Sequence, residues 1–156
     1  MKHLPASFHR PALIVFIISL IAGLWYLILW PVYDFFEITV PAIYVDNPFT
    51  DTEGWFMLIK DNILDEIIAI LLIISGLTVM FSRVPEEDEM IERLRLEAFQ
   101  WAVLVSYLLL MITVLTFYGL GFLWILIINV FLVMILFIFR FEYMRYKLRK
   151  ASDNEK

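Results

Sequence analysis

The sequence predicts an all-α fold, a four-transmembrane-helix bundle forming a single domain, and three observations predict it. Hydrophobic residues make up 62% of the 156-residue chain and mean hydropathy is +0.83, well above the roughly half-apolar usage of water-soluble domains. These residues are gathered into long charge-free runs, the distribution that a hydrocarbon solvent demands. Eleven of the 12 Lys and Arg residues fall in segments that an even number of crossings returns to one face.

The first run covers positions 11–33, 23 residues without a charge, more than the roughly 20 that cross a bilayer as helix. Helix 1 is expected over about 12–30. Its end, Leu24-Trp25-Tyr26-Leu27-Ile28-Leu29-Trp30, is bulky and offers no small-residue cleavage site, so it reads as a retained helix and not as a secretory signal. The second run, Ile67 to Ser82, has only 16 uncharged residues, about 24 Å of helix, and draws Asp65 and Glu66 towards the membrane. Helix 2 is placed at about 62–82. The third run, 42 residues between Glu97 and Arg140, is roughly twice too long for one crossing. Tyr118-Gly119-Leu120-Gly121 is the natural break, because glycine tolerates the left-handed backbone that turns a chain back. Helix 3 therefore spans the membrane over about 98–117 and helix 4 over about 122–139.

Lys60 is the one basic residue opposite Lys2, Arg10, Arg83, Arg93, Arg95, Arg140, Arg145, Lys147, Arg149, Lys150 and Lys156. Because positive charge is retained inside, both termini are expected in the cytoplasm. The outer loop, 31–61, interleaves acids with Trp30, Tyr33, Phe35, Phe36, Tyr44, Phe49, Trp55 and Phe56, a composition suited to the headgroup region. Phe36, Ile38 and Val40 alternate with Glu37 and Thr39, which predicts a short extended piece ended by Pro41. In the linker 83–97, Pro85 followed by Glu86-Glu87-Asp88-Glu89 reads as a helix start, so helix 3 is expected to begin in the cytoplasm. The segment 140–156 is a basic cytoplasmic tail.

Composition excludes several chemistries. The chain has no cysteine, which removes thiol catalysis, disulfide relays and thiolate metal centres. Its histidines, His3 and His9, both precede the first apolar run, so no pair within the membrane can ligate haem from two sides. Ser106 has no ionisable base near it in sequence. No cofactor, metal or catalytic residue is assigned, and the reading is non-enzymatic.

The candidate functional residues fall in three sets. Asp65, Glu66 and Asn129 are the polar side chains drawn to membrane depth, where such a group is a candidate ion or ligand site. The bland account is that Asp65 and Glu66 open helix 2 at the positive end of its dipole, and that Asn129 bonds a neighbouring helix at the depth of Thr113. Glu89, Glu92, Arg93 and Arg95, set three and four apart, present a doubly charged face for a cytoplasmic partner. Arg140, Arg145, Lys147, Arg149 and Lys150 flank helix 4 as anchors for anionic lipid. Ser19 with Gly23, and Ser75 with Gly76, are small-residue pairs suited to close helix packing.

Phe81-Ser82-Arg83, Glu87-Asp88-Glu89, Ile91, Leu94-Arg95-Leu96, Asn129 and Phe141 resemble the pattern of a family of small bacterial four-helix integral membrane proteins without an assigned activity. The resemblance covers helices 2 to 4, and Val84-Pro85 departs from the basic residue the pattern carries in the linker. It implies a regulatory or accessory role beside helix-turn-helix regulators. The function expected is that of an inner-membrane regulatory or accessory protein acting through a cytoplasmic partner such as a transcriptional regulator. The alternative is a small oligomeric transporter or channel using Asp65 and Glu66. The partners this reading allows are the lipid bilayer, that cytoplasmic protein and further copies of the chain; nucleic acid is not among them.

Overall fold

A computed structural model of the chain describes residues 4–29, 37–47, 52–84 and 89–154. Its elements are α1 (His9–Leu29), preceded by a single 3-10 turn at Ala6–Phe8, then β1 (Glu37–Asn47), β2 (Thr52–Asn62), α2 (Leu64–Phe81), α3 (Glu89–Thr116) and α4 (Leu120–Asn154). Each of the four helices is long and apolar enough to cross a membrane. The fold is mostly helical but not all-α, because β1 and β2 form a two-stranded antiparallel sheet.

That sheet corrects the expected short extended piece. Pairing runs from Glu37 opposite Asn62 to Asn47 opposite Thr52, straight through Pro41 opposite Leu58. Proline ends a strand only where its missing N–H is needed, and in a two-stranded sheet both strands are edges with one side free of partners. The hairpin is distorted at Phe56, a non-glycine residue at φ 55°. Tyr44 and Trp55 face each other across the strands with ring centroids 4.9 Å apart. The Tyr44 hydroxyl donates to Glu53 at 3.1 Å, and that bond raises the phenol above its ordinary pKa. The aromatic positions Trp30, Tyr33, Phe35, Phe36 and Phe49 lie outside the described residues, as does the expected helix start at Pro85.

The chain divides into two compact units, one formed by Met1–Phe16 with Ile73–Lys156 and the other by Ile17–Leu72. In the second, Ser19 is buried and a Cβ placed on Gly23 would meet Ile68 Cγ2 at 3.4 Å, which is the close approach of α1 and α2 that the small pair suits.

In the first unit α3 and α4 pack as an antiparallel hairpin closed by Gly119. That residue adopts φ +72°, the left-handed conformation that ends a helix cheaply only with glycine. Ala98, Ala102, Ser106 and Thr113 form the buried face of α3. Their small side chains let α4 approach closely, and the larger Phe137, Ile138 and Phe141 of α4 are buried in return. Phe99 meets Phe137 edge-on at 6.3 Å, and Phe137 stacks on Phe141 at 5.7 Å. At Gly76 of α2 a side chain would collide with Met134 of α4 and touch Phe16 of α1. The tail expected after residue 139 is a continuation of α4 to Asn154, since Arg140–Lys150 contains neither glycine nor proline to stop it.

Candidate functional site

Charged and polar side chains of the first unit converge where α1 begins and α2 ends. The N-terminal segment reaches this point by backbone pairing: the Leu4 amide donates to the Phe81 carbonyl at 3.0 Å and the Arg83 amide to the Leu4 carbonyl at 2.8 Å. One of the carbonyls left open at the end of α2, that of Phe81, is thereby used. Arg95 of α3 completes the end, donating Nη2 to the Ser82 carbonyl at 3.0 Å and Nη1 to that of Met80 at 3.4 Å. A cation at a helix C-terminus is favoured by the dipole as well as by these bonds.

His9 sits at the centre, 2% exposed. Its Nδ1 is 2.8 Å from Ser82 Oγ, and its Nε2 is 2.8 Å from Glu142 Oε1. The same Glu142 oxygen accepts from Arg145 Nη1 at 2.7 Å. An ionised carboxylate only accepts, so a bond from Nε2 to Glu142 needs a proton on that nitrogen, whereas an unprotonated Nε2 accepts from Arg145 Nη1, 3.0 Å away. Ser82 then either donates to Nδ1 or, with Nδ1 protonated, turns its hydroxyl to the Val79 carbonyl 3.2 Å away.

Serine, histidine and carboxylate in a row is the chemistry of an activated nucleophile. Here the Ser82 residue is 0% exposed, which closes it to a substrate. What the cluster does is hold: it ties α1, α2, α3 and α4 together through buried charge whose partners cannot be removed one at a time without cost. The sequence hides this cluster because its members are separated by 73 and 133 residues. One signal was present, for Glu142 is the only acid in the otherwise basic run from Arg140 to Lys150.

Beside the cluster, α3 and α4 leave a groove of about 420 Å³. Met90 and Leu94 of α3 with Met144 and Leu148 of α4 supply its apolar lining, and Arg140 and Lys147 its positive charge. Glu97, also in the lining, faces Arg140 Nη2 at 3.6 Å, and the Arg140 guanidinium lies 5.1 Å from the Trp101 ring centroid.

The residues predicted from sequence are distributed unevenly over this geometry. Of the presumed partner face, Glu89, Glu92 and Arg93 are exposed, whereas Arg95 is turned inward to the end of α2. Of the basic anchors, Lys147, Arg149 and Lys150 are exposed, but Arg145 is 7% exposed and belongs to the interior cluster. Asp65 and Glu66 are exposed in the first turn of α2. Asn129 is half-buried on α4, and the Thr113 hydroxyl donates to the Leu109 carbonyl of its own helix at 2.8 Å. Asp65 and Glu66 fall in one compact unit and Asn129 in the other. Comparison with protein families, with curated proteins and with solved structures finds no match to this chain.

Proposed function

We propose that the chain is an integral protein of a bacterial inner membrane, crossing it four times with both termini in the cytoplasm. It acts without catalysis, as a regulatory or accessory protein, through a protein partner that docks on the cytoplasmic part of α3 and α4. The observation carrying this reading is the length of that pair. At 28 and 35 residues the two helices are about 42 and 52 Å long against a hydrocarbon core near 30 Å. The Gly119 turn joins their opposite ends, so the excess of both projects on one side. That side holds the Lys and Arg of the linker and of α4, which supports its assignment to the cytoplasm.

The projecting part is ordered as a surface. Arg95 is set against Phe141 at 5.4 Å, and Arg140 joins α4 to Glu97, which leaves Glu89, Glu92 and Arg93 to face outward. The transporter reading has less support, since Asp65 and Glu66 are exposed at a helix start. Co-purification from crosslinked membranes tests the docking reading. Charge reversal at Glu89, Glu92 and Arg93 is expected to remove at least one partner that wild type retains; retention of every partner would sink it. Arg95 is left unchanged in that variant because its substitution would disturb the end of α2.

A further inference from the structure

We infer that the groove between α3 and α4 is the seat of an amphipathic helix carrying acidic residues, supplied by the docking partner. The inference rests on the reading above that this end of the pair faces the cytoplasm, and it adds the chemistry of what binds there.

The shape argues for a helix. The lining of the groove runs along α4 from Arg140 to Ala151, about 16 Å or three helical turns. It leads away from the apolar run of α4, so an acyl chain lying in it would point out of the bilayer. A helix laid beside α3 and α4 would instead add a third member to the pair, with its apolar anchors on Met90, Leu94, Met144 and Leu148. Two of those four are methionines, whose unbranched thioether chains repack around a guest with little strain.

Charge selects the sign of the partner. Glu97 faces Arg140, which leaves Lys147 as the further charge of the lining. Lys150, exposed and one turn beyond Lys147, extends the positive edge. An acidic residue on the rim of the guest helix meets these cations and fixes its register, whereas a basic helix is repelled.

The test uses the full chain in phosphatidylcholine nanodiscs and a fluorescent model peptide of about five helical turns, Leu on one face and Glu on the other. Fluorescence anisotropy is expected to show saturable binding at least about tenfold tighter than to empty nanodiscs or than that of the matching Leu–Lys peptide. The K147E/K150E variant, whose changes lie on the exposed rim, weakens binding by about tenfold or more, and Leu94→Glu abolishes it. Equal binding of the two peptides, or binding unaffected by K147E/K150E, overturns the inference. So does displacement of the peptide by phosphatidylglycerol in the discs, which would assign the groove to anionic lipid. A cysteine at Lys150, labelled from the periplasmic side of intact cells, would instead refute the orientation on which the inference stands. Cytoplasmic labelling together with failure of the acidic peptide refutes the groove assignment alone.

Discussion

Glu142 places one carboxylate oxygen against both His9 and Arg145, so its loss takes the opposite charge away from a buried cation. Glu142→Gln is expected to cost about 2–3 kcal/mol, below the full price of breaking a deeply buried pair, because its side chain keeps 30% exposure. Thermal unfolding in detergent, followed by size-exclusion chromatography, measures it. The E142Q/R145M double variant recovers most of the loss, since removing both charges leaves none uncompensated. If the double variant is no more stable than E142Q, the lock is not the source of the effect. Glycine gives a second contrast at this scale. Gly76→Ala drives a methyl into Met134 and is expected to destabilise by about 1–3 kcal/mol. Gly121→Ala meets open space, and in the same assay it is neutral or stabilising by up to about 1 kcal/mol, the helix-propensity gain.

Among the elements, the α3–α4 turn is the one whose sequence signal and structure coincide most closely. An uncharged run of 42 residues has to fold back, and Gly119 supplies the left-handed residue that permits it. Gly119→Ala is therefore expected to cost about 1–2 kcal/mol even though nothing crowds its Cβ; an unchanged unfolding temperature would contradict that origin. The helices were legible because hydrocarbon length and charge-free runs are one-dimensional quantities. The β-hairpin was not, since Pro41 signals a strand end and only the pairing with Leu58 makes it tolerable. The polar lock was equally hidden. Its bonds join the start of α1 to the end of α2 and to Glu142 and Arg145 of α4, and no local spacing in sequence reports a contact across 133 residues. The inward turn of Arg95 and Arg145 is hidden for the same reason: their sequence neighbours are those of exposed arginines, and only tertiary packing turns them inward.

At the scale of the whole molecule, two properties meet in the same helices. The apolar parts of α3 and α4 pack against each other, and their polar continuations remain paired through Arg140 with Glu97 and Arg95 with Phe141. The His9 cluster secures the start of α1 and the end of α2 to this pair. On the proposed reading, a partner that binds the polar ends of α3 and α4 acts on an element locked to the rest of its unit. The chain contains no cysteine, so single cysteines introduced along it report sidedness without background. The most direct test is therefore a cysteine ladder in intact cells and inverted membrane vesicles, read with a membrane-impermeant maleimide. Cysteines at Glu92, Lys147 and Lys150 are expected to label only in the inverted vesicles, cysteine at Lys60 only in intact cells, and cysteines at Ile128 and Leu132 in neither. Labelling of Lys60 and Lys147 from the same side would contradict the account.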